Sequence, residues 1–349
     1  MDEGLHRAVN RLALVAAGIC FAAVGAALPT AGAETVLWVT GTGKTPYSPE
    51  SLLAGEYSAD RLIAVDYPAS FGPASGPADP SFGQSVAIGV SNLESVARST
   101  AGQLVIVGFS QGALVAQQAA AELNDDPAVG SDTTVILIAN PNLGVFSGAY
   151  GGYIPFFDYA PQPLTETRFT TIAVTNEYDA WADPISQPDN TLAVLNSIMG
   201  MAYVHPVAHN TDLSAVPTQN ITVTVNSQGG TLATYLVPAK QLPLTLPLRQ
   251  AGVPDEIVDD IDANLRPVID AAYARNRTPP PPAAVVRPNQ VAKTDASDKQ
   301  STGSREKATQ SRRVSAKSAP DSGVSLAARQ DSSSRPAATG TSARRSPER

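Results

Sequence analysis

Short apolar runs alternate with segments of helical periodicity over most of the chain. Thr35 to Thr40 is apolar and ends at Gly41, which reads as a strand followed by a turn. Leu62 to Val65 is a second short strand. Ser81 to Ala101 places Phe82, Val86, Val90, Leu93 and Ala97 at helical spacing. Leu104 to Val107 is a buried strand, and Ala113 to Leu123 is an Ala/Gln-rich helix stopped by Asn124-Asp125-Asp126-Pro127. Thr133 to Ala139 and Phe169 to Thr175 are further strands, and Asn190 to Val204 is a helix. Ile221 to Val225 and Leu232 to Leu236 flank Gln228-Gly229-Gly230 as a hairpin. Ile257 to Ala274 closes the series as an amphipathic helix. Strand–helix–strand alternation predicts an α/β fold, with a central, mostly parallel sheet and helices on both faces.

Three regions depart from this pattern. Residues 1–33 have the layout of an export signal: Arg7 and Arg11, an uncharged run from Leu12 to Leu28, then Ala31-Gly32-Ala33. The run is also just long enough for an anchor helix, so signal peptide and signal anchor both stand. Either one puts the body outside the cytoplasm, secreted or in the cell envelope, with peripheral or anchored membrane association. Asn140 to Arg168 is rich in Gly, Pro, Tyr and Phe, and reads as a cap over a pocket or as an ordinary surface loop. Residues 276–349 are rich in Pro, Ser, Ala and Arg, with Pro279 to Pro282 in one run, and predict a disordered basic tail. The domain plan is therefore a leader (1–33), a globular body (34–275) and a tail (276–349).

Composition narrows the function classes. The chain has 349 residues, 43% hydrophobic and 16% charged, which suits a globular protein and excludes a coiled coil. Glu34 to Asp270 holds 24 acidic and 7 basic residues, whereas the stretch from Arg275 onward holds 15 basic and 6 acidic. An acidic body argues against nucleic-acid binding. The single cysteine, Cys20, lies in the leader, so the body offers no disulfide, thiolate nucleophile or cysteine metal site. No H-E-x-x-H or comparable metal cluster occurs, and no cofactor is expected. Nothing points to an obligate protein partner.

Gly108-Phe109-Ser110-Gln111-Gly112 is a G-x-S-x-G sequence placed between a buried strand and a helix. That context puts a serine hydroxyl on a sharp turn above the sheet edge. The bland alternative is a helix N-cap serine. A serine nucleophile needs a base. The histidines are His6, in the leader, His205 and His209. His205 directly follows an ordered apolar helix and is the first choice; His209 is the second. The carboxylate partner belongs just past a strand end, where Asp179 comes first and Asp183 second; Glu177 reads as a solvated loop residue. The backbone N–H of Gln111 and the Thr42 loop are the expected oxyanion donors. Gly43-Lys44-Thr45 looks like the end of a phosphate-binding loop. However, the glycine required five residues before Gly43 is Trp38, which argues against that reading.

The stretches Gly108 to Ala113, Glu177-Tyr178-Asp179 through Ala182-Asp183-Pro184, and Tyr203-Val204-His205-Pro206 resemble the PE-PPE domain family of mycobacteria. That family is a cutinase-like branch of the serine α/β hydrolases. Tyr235 to Pro238, Leu242-Pro243-Leu244, Pro247-Leu248-Arg249 and Leu265 to Asp270 resemble the family's C-terminal signature. The resemblance spans residues 34–275. It implies an α/β-hydrolase fold and a triad of Ser110, His205 and one of Asp179 or Asp183. Many members carry an N-terminal PE or PPE module, whereas this chain has an export segment there. In that respect it resembles stand-alone exported members that acylate trehalose glycolipids. Here Val207-Ala208 follow Pro206, where the family often has a tyrosine shortly after the histidine.

Together these readings predict an exported serine acyl-transfer enzyme acting on lipid esters. It would be an esterase or lipase, or an acyltransferase onto a glycolipid hydroxyl. The competing expectation is a non-catalytic envelope-binding protein on the same fold.

Overall fold

A computed structural model describes residues 34–44, 48, 50–58 and 60–276. The leader and the tail beyond Asn276 lie outside the described residues. The expectations of a cleaved or anchoring leader and of a disordered tail therefore concern residues that are not described.

The core is one seven-stranded sheet in the order β2-β1-β3-β4-β5-β7-β6. Its strands are β1 (Thr35–Val39), β2 (Arg61–Ala64), β3 (Leu104–Phe109), β4 (Thr134–Ile138), β5 (Thr170–Asn176), β6 (Ile221–Val225) and β7 (Thr231–Val237). All neighbours are parallel except the edge hairpin β6–β7. Central strands such as β3, LVIVGF, are buried at every position, which is why they read as unbroken apolar runs.

Alternate side chains of the strands feed two separate cores. Leu37, Val39, Leu104, Ile106 and Leu137 pack on one face against α1 (Phe82–Ser99) and α2 (Gln111–Glu122). α1 begins with a full capping box, in which Ser81 Oγ accepts the Gln84 N–H and the Gln84 side chain accepts the Ser81 N–H. Val36, Trp38, Val107, Phe109, Ile138 and Val174 point to the other face. That face is covered by short 3-10 helices, Leu52–Gly55, His205–Asn210 and Leu213–Ala215, together with Ala182. Pro206 sits in the first turn of the second of these, where its missing N–H costs nothing.

α3 (Thr191–Tyr203), the short α4 (Leu246–Gln250) and α5 (Asp255–Asp270) complete the element order. A third small core of Tyr178, Ala193, Leu242, Ile269 and Tyr273 ties α3 and α5 to the loop after β5. The final helix stops at Asp270 rather than Ala274, and a 3-10 turn (Ala274–Asn276) follows it. The region 140–168 has one 3-10 turn (Ser147–Ala149) and an isolated bridge between Ile154 and Tyr159, and is otherwise irregular.

A close backbone approach that positions the site lies between the start of α2 and the end of β1. A Cβ on Gly112 would stand 2.1 Å from the Val39 carbonyl oxygen and 2.4 Å from that of Thr40. Backbone atoms cannot swing aside as a side chain would. Gly112→Ala is expected to lose about 2–3 kcal/mol of stability, the cost of an overpacked core, read from the urea unfolding midpoint. A loss under about 0.5 kcal/mol, the range of an indifferent surface change, would show that strand and helix can part freely.

Candidate active site

β3 ends at Phe109, and the chain reverses into α2 at Ser110, the helix N-cap, with φ 54 and ψ −117. A non-glycine residue is rarely found there, and such strain clusters at functional sites. Neighbouring contacts hold the turn. Ser110 N–H donates to the Ile138 carbonyl (2.9 Å), and Ala113 N–H donates to the Ser110 carbonyl (2.9 Å). Gly108 allows the crossing, since a Cβ there would lie 2.3 Å from the Gly112 carbonyl oxygen. The Ser110 side chain makes no capping bond to the helix, contrary to the N-cap alternative.

His205 opens its 3-10 helix directly after α3, which brings its ring over the end of β3. Nε2 lies 2.9 Å from Ser110 Oγ, and Nδ1 lies 2.7 Å from Asp179 Oδ2. Asp179 is completely buried, and its other carboxylate oxygen accepts the Trp181 N–H at 3.0 Å. Both oxygens are thus engaged and the carboxylate cannot rotate away. The arrangement can pass a proton from the hydroxyl to the imidazole and hold the resulting cation beside an anion.

The two alternates take other places. His209 is buried between Trp38 and Phe109, with ring centroids at 6.1 and 5.2 Å, and its Nδ1 has no hydrogen-bond partner. Burial, and then the nearby His205, lower its pKa. Asp183 takes partners other than His205. Its carboxylate accepts the Tyr178 N–H (2.7 Å) and pairs with Arg275 (2.7 Å). Burial pushes its pKa up to about 7, although Arg275 and the Tyr178 N–H both pull it down. Glu177, expected to be a solvated loop residue, is instead largely buried. It accepts the Ala239 N–H at 2.9 Å, and Arg275 lies 3.6 Å away.

Asp183 therefore has a structural part that the sequence left open. It braces the loop presenting Asp179, whose first residue, Tyr178, sits at φ 66. The Tyr178 hydroxyl donates to Asp270 at 2.7 Å and accepts from Arg266 at 2.9 Å, so α5 grips the same loop. Arg275, its guanidinium stacked 4.1 Å from the centre of the Tyr273 ring, completes the clamp. Arg266, Arg275 and Tyr178 carried no chemical signal in the sequence, because the contacts join residues about ninety positions apart.

The candidate oxyanion donors fall at the same sheet edge. Gln111 is the first residue of α2, so its N–H has no intrahelical acceptor. Its buried side chain is occupied elsewhere, accepting from Ser85 Oγ (3.2 Å) and donating to the Ser70 carbonyl (2.9 Å). Thr42 is exposed in the turn after β1, whose last residue, Val39, pairs with Gly108. That turn is closed by Lys44 N–H to the Gly41 carbonyl (3.1 Å) and tied by Gly43 N–H to the Ala69 carbonyl (2.7 Å). A cavity of about 360 Å³ on the 3-10-covered face is lined by Leu53, Val105, Ile136, Ile172, Val216 and Tyr235. It includes none of Ser110, His205 or Asp179. Among the described residues there is no metal-binding cluster of His, Cys, Asp or Glu.

A parallel sheet carrying a strained serine between β3 and its helix, with His and Asp arriving later in the chain, defines the α/β-hydrolase class. The PE-PPE domain model matches residues 59–274, and the chain belongs to that family. It is 35% identical over 312 residues to SL1278 acyltransferase Chp1 of Mycobacterium tuberculosis, covering 82% of this chain and 75% of that protein. It is 39% identical over 206 residues to diacyltrehalose acyltransferase Chp2 of the same organism, covering 56% of this chain and 57% of that one. Esterase PE16, also from M. tuberculosis, is 31% identical over 288 residues, with 76% of this chain and 54% of PE16 covered. Among solved structures, the type II thioesterase BorB is 16% identical, covering 69% of this chain and 93% of that one, with a TM-score of 0.32. A cutinase-like protein from Cryptococcus sp. is 17% identical, covering 32% of this chain and 55% of that one, with a TM-score of 0.22. The acyltransferase and esterase relatives support an enzyme.

The clamp on the acid-bearing loop is testable through pH. The Asp183 carboxyl moves from an ordinary 3.8 to about 7 on folding, so its ionisation opposes stability as pH rises through that window. Removing Arg275 takes away the cation that offsets this cost. Arg275→Ala is expected to lose about 3 kcal/mol at pH 8, the order found when one partner of a buried pair is deleted. The deficit should shrink at pH 5, where Asp183 carries a proton. Urea unfolding at both pH values checks this. Equal deficits would assign Arg275 to its packing on Tyr273 and its pairing with Glu177, with no part for Asp183.

Proposed function

We propose that this chain is a serine acyl-transfer enzyme that acts on lipid esters through an acyl-serine intermediate. The observation that carries the proposal is the unbroken relay from Ser110 Oγ through His205 to buried Asp179, at 2.9 and 2.7 Å. Ser110 Oγ attacks the ester carbonyl while His205 Nε2 takes its proton. Asp179 keeps the Nδ1 proton on the far side of the ring and stabilises the imidazolium. The oxyanion is received by the Gln111 N–H and the Thr42 loop. On collapse His205 returns the proton to the leaving alcohol, and Ser110 is left acylated. An acceptor hydroxyl then loses its proton to His205, attacks the acyl carbonyl and frees the serine.

The acceptor we infer is a hydroxyl of a trehalose-type glycolipid, with water as the competing acceptor. The names of Chp1 and Chp2 favour transfer, and that of PE16 favours hydrolysis. Export is part of the same proposal. Arg7 and Arg11, the uncharged run Leu12 to Leu28 and Ala31-Gly32-Ala33 direct the body to the envelope, with membrane association peripheral or through that run.

A fluorophosphonate probe is expected to label the wild-type protein and not Ser110→Ala. Asp179→Asn should lower ester turnover on the order of 10³–10⁴-fold by disturbing the tautomer, and His205→Ala should abolish it. His209→Ala should stay within about tenfold of wild type, since His209 lies off the relay and a single general-base contribution is worth more than that. Well-folded protein that resists the probe would favour the non-catalytic binding reading instead. Mass spectrometry of products from a lipid ester, with and without a trehalose glycolipid, separates the two acceptors. Newly acylated glycolipid marks transfer, and free fatty acid alone marks hydrolysis.

A further inference from the structure

The aromatic side chains between Asn140 and Arg168 fall into two groups. Phe146 and Tyr159 are buried, packed against Phe82 of α1. Phe156 and Tyr153 are 74% and 59% exposed. A lone exposed apolar residue is ordinary, but Phe156 is the exposed end of a continuous row of aromatic rings whose inner members, Phe157 and Trp181, are half-buried. Its ring meets Phe157 at 5.2 Å, Phe157 meets Trp181 at 6.2 Å, and Trp181 meets His205 at 6.2 Å. The row leads from solvent to the imidazole beside Ser110.

The backbone carrying this row is fixed. Ile154-Pro155-Phe156-Phe157 is a turn closed by Phe157 N–H to the Ile154 carbonyl (3.1 Å), with Pro155 setting its first corner. Ile154 N–H donates to the Tyr159 carbonyl (2.8 Å), and Gly83 N–H of α1 donates to the Phe157 carbonyl (3.0 Å). Asp158 accepts from Ser81 Oγ and from the Tyr153 hydroxyl, both at 2.5 Å. The one carboxylate in the turn is thereby taken up. At its other end the segment is joined to the acid-bearing loop, through Val145 N–H to the Trp181 carbonyl (3.0 Å).

We propose that Phe156, Phe157 and Trp181 form the track along which the acyl chain of the ester lies, its carbonyl at Ser110 and its tail directed outward past Phe156. This rests on the serine acyl-transfer reading and adds the chain-length dependence of the same site. Three successive aromatic rings, with the one carboxylate of the turn already hydrogen-bonded, suit a methylene chain. A short acyl group ends before the track begins, and a longer one gains contact with each added methylene.

The test compares kcat/KM for p-nitrophenyl acetate and for p-nitrophenyl decanoate kept below its micelle concentration. The variants are Phe156→Ser and Val225→Ser, the latter removing an exposed apolar residue from edge strand β6. The decanoate-to-acetate ratio is expected to fall about tenfold in Phe156→Ser, the worth of losing one apolar contact of this size. It should stay within about twofold of wild type in Val225→Ser, as for a surface change away from the site. An unchanged ratio in folded Phe156→Ser overturns the track. So does a loss that emerges only when the decanoate is then raised above its micelle concentration, which would assign the row to a lipid surface. If the wild-type protein turned over neither ester, the serine reading would be what failed. Calorimetric binding of decanoate would then decide the track, with tenfold weaker binding to Phe156→Ser supporting it and equal affinity overturning it.

Discussion

The arrangement depends on one strained residue. Ser110 occupies a conformation that L-residues avoid, at φ 54, because β3 and α2 cross too tightly for any relaxed path between them. The crossing exists because Gly108 has no Cβ to strike Gly112, and Gly112 has none to strike the end of β1. The strain lifts the hydroxyl clear of helix capping, which would otherwise be its natural use. It also leaves the Gln111 N–H at the open start of α2, where the proposed mechanism receives the oxyanion. The sheet registers on either side, Val39 with Gly108 and Phe109 with Ile138, hold the turn in place.

A second constraint acts on the partners of that serine. His205 and Asp179 come from two connections on the far side of the sequence, and each is fixed by something other than the relay. The histidine stands at the start of a 3-10 helix whose first turn contains Pro206. The aspartate sits in a loop clamped by Tyr178, Asp183, Arg266 and Arg275. Preorganisation of this kind is what a proton relay requires, since a misplacement of an ångström weakens every transfer through it. The clamp draws on α5 and the turn after it, so the C-terminal end of the described chain is built into the site.

Much of this was legible in the sequence because it is local. Buried parallel strands are unbroken apolar runs, and the G-x-S-x-G spacing encodes a crossing that only glycine permits. Position past a strand end was enough to rank Asp179 ahead of Asp183. Other features were not legible, for definable reasons. The 3-10 helices on the second face have neither helical nor strand period, and His205–Asn210 shows no amphipathic pattern. Arg275 and Tyr178 look like ordinary residues until the fold brings them together. The aromatic residues of the insert read alike in one dimension. Phe146 is 2% and Phe156 74% exposed because one faces α1 and the other tips a turn.

The last difference bears on which reaction the proposed mechanism would favour. The relay itself is indifferent to the acceptor, since a water molecule and a sugar hydroxyl both give their proton to the same His205 nitrogen. Selection must come from what surrounds the acyl-serine. On the proposed mechanism a long acyl chain covers Trp181, and Trp181 borders His205 at 6.2 Å. A bound chain therefore removes water from one side of the imidazole while the serine stays acylated. A glycolipid acceptor brings its own apolar chains to such a site, whereas water brings nothing to offset the exclusion. On this proposal the balance between transfer and hydrolysis turns on the aromatic wall supplied by the 140–168 segment and the Trp181 loop, and a change there would alter the acceptor without touching Ser110, His205 or Asp179.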